Sequence, residues 1–85
     1  MFYKLYIKEG CGFCKRAVEF LTKHKIEHVI LSQLYTTELI EEAKIQYDWP
    51  TVPIVVEVNG DDEKLIGGYV DMRKYFRNKG VRNVR

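Results

Sequence analysis

Cys11 and Cys14, three positions apart, are the only two thiols in the 85-residue chain. Cysteine reacts as the thiolate, and the Cys-x-x-Cys spacing is one of the settings that favours that form. A pair one helical turn apart can also close a small disulfide, so thiol–disulfide exchange is the first chemistry to consider. Position strengthens that reading. Residues 2–7 (Phe2, Tyr3, Lys4, Leu5, Tyr6, Ile7) alternate and are rich in aromatic and β-branched types, the pattern of a half-buried strand. From Phe13 onward the apolar residues take helical spacing, with Phe13, Ala17 and Leu21 on one stripe and Cys14, Val18 and Leu21 on its neighbour. Cys11 therefore stands where a strand hands over to a helix N-terminus, whose unpaired N–H groups and dipole favour an anion.

The elements that must hold this pair fit one domain spanning residues 1–85. A hydrophobic fraction of 46%, with six Tyr, four Phe and one Trp, suits a packed core and argues against disorder. No apolar run approaches the roughly 20 residues of a membrane span, and the first residues read as strand rather than as a secretory leader. The expectation is a cytosolic, reducing compartment, where a Cys pair at this spacing is catalytic or metal-binding rather than structural. The net charge of +2 implies no nucleic-acid partner, although Arg73, Lys74, Arg77, Lys79, Arg82 and Arg85 crowd the last 13 residues. The plain reading of that tail is a solvated helix end, where cations complement the dipole.

After the Cys helix, which should fade near Lys23–Lys25, Ile26–Leu31 reads as a second strand. Residues 32–37 connect to a helix carrying Leu39, Ile40, Ala43 and Tyr47, with Thr36 or Thr37 as N-cap and Glu38 in the first turn. Pro50 should end it. Pro53–Val58 is a β-branched strand and Lys64–Ile66 its short partner, joined by a turn that begins at Asn59-Gly60 and runs on through Asp61, Asp62 and Glu63. Gly67-Gly68 breaks the chain before a last helix marked by Tyr69, Met72, Tyr75 and Phe76. The order β-α-β-α-β-β-α joins a parallel βαβ unit to a hairpin and a closing helix. It predicts an α/β, thioredoxin-like fold: a four-stranded mixed sheet with three helices covering both faces.

Three segments carry a family resemblance: Lys8-x-x-Cys11-Gly12-Phe13-Cys14, Thr51-Val52-Pro53 and Ile66-Gly67-Gly68-Tyr69-Val70-Asp71. Together, from Tyr3 to about Phe76, the chain resembles the glutaredoxins, and its compact length is similar to the small ones of bacteriophages and other viruses. The resemblance implies a glutathione-dependent oxidoreductase that reduces protein disulfides and glutathione mixed disulfides. Cys11 would be the nucleophile and Cys14 the resolving thiol. Lys8 would face the glycyl carboxylate of glutathione, and Phe13 would wall the groove. The backbone of Val52, next to Thr51 and before a cis bond to Pro53, would pair with the cysteinyl part. Gly68, Tyr69, Val70 and Asp71, at the last helix N-terminus, would receive the γ-glutamyl end, as helix N-termini receive carboxylates. Implied partners are glutathione and disulfide-bearing proteins, ribonucleotide reductase among them; the chain would act as a cytosolic monomer, in the host cytosol if viral. Gly12 stands where many members have proline, Phe13 where many have tyrosine, and Pro50 where some carry a basic residue.

Gly12-Phe13 is also similar to the Cys-Gly-Phe-Ser signature of single-cysteine glutaredoxins, which implies an alternative: a dimer bridging a [2Fe–2S] cluster through Cys11 of each subunit and two glutathiones. A thioredoxin-like reductant is the other rival, though Gly10 precedes Cys11 where thioredoxins usually have Trp. Cys11, Cys14, His24 and His28 imitate a zinc site, but an unbroken helix would put Cys11 and His24 about 20 Å apart at 1.5 Å per residue. Trp49 reads as a core or groove aromatic.

Overall fold

A computed structural model of the chain describes residues 1–33 and 37–80. The elements are β1 (Phe2–Ile7), α1 (Gly12–Lys23), β2 (His28–Ser32), α2 (Thr37–Tyr47), β3 (Ile54–Asn59), β4 (Asp62–Gly67) and α3 (Tyr69–Asn78). The sheet runs β2-β1-β3-β4, with β1 parallel to β2 and antiparallel to β3, and β3 antiparallel to β4. This is the four-stranded mixed sheet with three helices that the element order predicts.

The two central strands carry apolar residues on both faces. Tyr3, Leu5 and Val55 pack with Ala17, Phe20, Leu21, Met72 and Phe76 in a core beneath α1 and α3. Tyr6, Ile54, Val56 and Val58 pack with Ile40 and Ala43 of α2 on the opposite face. Two carboxylates tie the layers together. Glu57 accepts from the hydroxyls of Tyr3 and Tyr75, both at 2.6 Å, joining β3 to β1 and α3. Glu63 accepts from Lys4 Nζ at 2.7 Å and from the Tyr47 hydroxyl at 2.6 Å, joining β4 to β1 and α2. Partial burial opposes the charge on Glu57, but its two tyrosine donors outweigh that and hold its pKa below the usual carboxylate value.

Three boundaries differ from the sequence expectation. The second strand starts at His28 rather than Ile26, because Ile26 belongs to the end of α1: its N–H bonds the Leu21 carbonyl at 2.9 Å and that of Lys25 bonds Thr22 at 3.1 Å. With Lys25 at φ +56 this is a Schellman cap. The same motif ends α2 three residues before Pro50, with Asp48 at φ +52 and the Trp49 N–H on the Lys44 carbonyl at 3.0 Å. The β3–β4 hairpin is tighter than expected: Asn59 pairs with Asp62, leaving a two-residue loop whose Gly60, at φ +65, supplies the positive φ such turns demand. Of the N-cap candidates, Thr36 lies outside the described residues and Thr37 is the first residue of α2. Arg82 and Arg85 also lie outside them.

Candidate active site

The site lies beyond the C-terminal end of β1, where α1 begins. Cys11 is the N-cap of α1, with extended backbone (φ −103, ψ 109), and its Sγ accepts the Cys14 backbone N–H at 3.2 Å. Serine, threonine or aspartate oxygen usually fills this role; here the reactive sulfur does. Its thiol also reaches the Val52 carbonyl at 3.9 Å. Cys11 is half-buried, whereas Cys14 points into the core with 2% exposure. Burial, and then the hydrogen bond to Cys11, push the Cys14 pKa from 9.0 up to about 12. The neutral thiol is thus the favoured form in the folded chain. Its contribution to stability is full below about pH 9 and is lost as pH rises through about 12. Near neutral pH, limiting iodoacetamide is expected to modify Cys11 alone; Cys14 should follow only as pH climbs toward 12 or on unfolding. Mass spectrometry of the folded protein checks this, and rapid double modification at neutral pH would contradict it.

A groove of about 400 Å³ opens beside Phe13, lined by Phe13, Trp49, Thr51, Val52, Pro53, Gly68, Tyr69, Val70 and Asp71. Its floor is the Val52–Pro53 segment, whose peptide bond is cis. Its far end is the start of α3. A bulge at Ile66, where Val55 pairs with Gly67 and Val56 with Leu65, turns the chain out of the sheet into Gly67 and Gly68. Gly68 is the N-cap of α3, and Asp71 Oδ2 reaches back to accept the Gly68 N–H at 3.0 Å. This is half of a capping box, since glycine has no side chain to return the bond. Gly67, at φ +123, is enclosed by Asp71: a Cβ there would stand 2.7 Å from Asp71 Oδ2.

Eight of the nine binding residues read from the sequence meet in this one groove. Lys8 does not. It is exposed and lines a separate depression with Ile7, Gly10, Cys11, Gly12, Cys14 and Lys15. Trp49 is the groove residue that the sequence leaves unassigned between core and site, and its indole N–H is buried without a partner among the described residues. The histidines are engaged elsewhere: His24 stacks on Phe20 with centroids 4.4 Å apart, and His28 Nδ1 lies 2.7 Å from the Ile26 carbonyl.

The family model described as Glutaredoxin matches residues 4–62. The chain belongs to the glutaredoxin family. Among curated proteins it is 34% identical over 69 residues to "Probable monothiol glutaredoxin 2" of Rickettsia typhi and 33% identical over 69 residues to the protein of the same name in Rickettsia conorii. Those matches cover 81% of this chain but only 59% and 61% of the relatives, so the glutaredoxin described here spans about six-tenths of their length. Their names specify a single thiol, whereas this glutaredoxin carries Cys11 and Cys14. Among solved structures it is similar to the thioredoxin-like protein BC3987, at TM-score 0.68 and 19% identity over 88% of this chain and 96% of that one. It is also similar to the glutaredoxin-like NrdH-redoxin from Escherichia coli, at TM-score 0.63 and 17% identity over 86% and 93%. At such identities the likeness is one of fold.

Proposed function

We propose that this glutaredoxin is a glutathione-dependent thiol–disulfide oxidoreductase. The observation that carries the reading is the groove from Phe13 across Pro53 to the N-terminus of α3, with Cys11 Sγ 3.9 Å from the carbonyl of its lining residue Val52. It has the parts an extended γ-glutamyl-cysteinyl-glycine needs: a wall at Phe13, backbone at Val52, and helix N–H groups at Tyr69 and Val70 for a carboxylate, with Asp71 beside them for the ammonium. Lys8, on the Cys11 side, would meet the glycyl end.

In the first step the Cys11 thiolate attacks the glutathione sulfur of a mixed disulfide. The Cys11–glutathione bond forms, and the substrate sulfur leaves as thiolate and takes up a proton. A second glutathione thiolate then attacks the bound glutathione sulfur, giving glutathione disulfide and restoring the Cys11 thiolate. With a protein disulfide, Cys11 forms a mixed disulfide with one substrate sulfur and releases the other. Cys14, after losing its proton, attacks the Cys11 sulfur, frees the substrate thiol and leaves a Cys11–Cys14 disulfide for two glutathiones to reduce.

The test is turnover of a low-molecular-weight glutathione mixed disulfide, followed as NADPH consumption through glutathione reductase. Turnover that saturates with that substrate and requires glutathione supports the reading. Turnover independent of glutathione, but sustained by a flavoprotein thioredoxin reductase, would replace it with a thioredoxin-like activity profile of the kind described for NrdH-redoxin.

The names of the monothiol relatives favour a second reading, the cluster-bridged dimer. Among the described residues no three His, Cys, Asp or Glu side chains converge on one point. A cluster, which takes four thiolates, would therefore need Cys11 of two chains and two glutathiones. Gly12 has open space where a side chain would stand, which leaves the loop uncrowded. Visible absorption after anaerobic reconstitution with iron, sulfide and glutathione would support this reading; a colourless protein would count against it.

A further inference from the structure

Helix α1 breaks a rule that the other two helices keep. α2 opens with Glu38 and α3 with Asp71, each in the first turn where a carboxylate suits the dipole. α1 has no acidic residue in its first turn and carries Lys15 and Arg16 at its start instead, with Lys8 close by at the end of β1. Cations near a helix N-terminus are unfavourable, and no carboxylate among the described residues forms an ion pair with these three. The ion pairs among the described residues are Lys4–Glu63, Lys44–Glu41 and Lys79–Glu57. None involves Lys8, Lys15 or Arg16, although Glu9 and Glu19 are near in sequence. A local rule broken beside the reactive Cys11, with no ion pair to offset it, points to function.

The surface around these cations is shaped. Lys8 and Lys15 line a depression of about 360 Å³ that also holds Cys11 and Cys14. Arg16 lines a second one of about 190 Å³ with Gly12 and Phe13. Gly12 belongs to both, so the two adjoin at the start of α1, beside Cys11 and Phe13. Phe13 stands between groove and cations with 52% of its surface exposed, and the Arg16 guanidinium lies 5.3 Å from its ring centroid. A tripeptide in the groove that meets Lys8 with its glycyl end still leaves Lys15 and Arg16, which do not line that groove, uncovered.

We propose that the flank is a docking surface for an extended acidic segment of a protein substrate, the residues next to its disulfide cysteine. Lys15 and Arg16 select that charge, and the apolar edge of Phe13 receives the neighbouring side chain. The assignment deepens the oxidoreductase reading and rests on it: the same Cys11 exchanges, and the flank decides which protein disulfides reach it fastest. Charge complementarity of this kind acts mainly on the encounter rate and weakens with salt.

The test uses two synthetic peptides of one length, each with a single cysteine held as a thionitrobenzoate mixed disulfide. One has glutamates on both sides of the cysteine and the other lysines. At about 10 mM ionic strength the pre-reduced protein, in excess over peptide, is expected to release thionitrobenzoate from the acidic peptide with an about tenfold higher second-order rate constant, and at about 0.5 M salt the gap should close. In K15E/R16E the preference should invert. The ratio between peptides cancels any common effect of the substitutions on Cys11 itself. Equal rates for the two peptides in the native protein, or an unchanged preference in K15E/R16E, would overturn the docking surface while leaving the oxidoreductase reading intact. No release of thionitrobenzoate from either peptide would sink that reading, and the docking surface with it.

Discussion

Cys11→Ser is expected to remove disulfide turnover altogether, by more than about 10³-fold on every substrate, because a hydroxyl is no substitute for a thiolate nucleophile. The fold offers no stand-in. Cys14, the other thiol, is buried and held protonated, with a pKa pushed up to about 12. The companion substitution should divide the substrates. Cys14→Ser keeps reduction of glutathione mixed disulfides, whose exchange needs Cys11 and free glutathione alone. It loses reduction of protein disulfides that need an internal thiol to release them. Coupled NADPH assays on both substrate types, with each variant, measure this. Equal losses for the two variants on both substrates would sink the division of labour between Cys11 and Cys14.

The largest expected effect on stability comes from a residue that never touches sulfur. Gly67→Ala forces an L side chain to φ +123 and drives its Cβ to 2.7 Å from Asp71 Oδ2 and 2.8 Å from Asp71 Cβ and Cγ. The backbone strain alone amounts to about 1–3 kcal/mol. Displacing Asp71 also removes the acceptor of the Gly68 N–H, a further loss of about 1 kcal/mol for a helix cap. The sum is about 3 kcal/mol, which in a domain of this size lowers Tm by more than about 10 °C. Gly68→Ala is the control. A Cβ there meets the Pro53 carbonyl at 3.7 Å, Asp71 Oδ2 at 3.8 Å and Trp49 Nε1 at 3.9 Å, all ordinary contacts. Its Tm should change little, while the methyl narrows the groove and raises KM for the glutathione mixed disulfide. Calorimetry showing the two variants equally stable would contradict the account of Gly67.

What the sequence disclosed follows from how local each signal is. The alternation of residues 2–7, the helical stripes from Phe13 and the β-branched run after Pro53 each report one element, and each element stands where expected. Helix ends are harder to read. Lys25 and Asp48 take the left-handed conformation usually left to glycine, so the caps they form leave no compositional mark, and Ile26 reads as strand while serving as cap. The hairpin misleads differently: Asp61, Asp62 and Glu63 look like loop by composition, yet Asp62 and Glu63 pair with β3. At the site, the segments Thr51–Pro53 and Gly68–Asp71 are legible as family motifs, and their residues meet in one groove. Two features are not legible. Lys8 lines the depression that holds Cys11 rather than the groove, a matter of how the strand end turns. The unpaired Trp49 N–H depends on packing between distant segments, which no local pattern encodes.

The sulfur that caps α1 also links folding to the electron balance of the site. In the reduced chain Cys11 Sγ accepts the Cys14 N–H at 3.2 Å. Once joined to another sulfur it carries less negative charge and is a weaker acceptor, so the helix gives up part of a cap worth about 0.5–2 kcal/mol in ordinary cases. Around a closed thermodynamic cycle, stability that the dithiol form holds over the disulfide form reappears, undiminished, in the exchange equilibrium. Helix α1 therefore does more than present Cys11. By folding best around the free sulfur, it makes the oxidised protein the readier electron acceptor, and a substitution in its first turn should shift the redox potential by as much as it stabilises the dithiol form over the disulfide form.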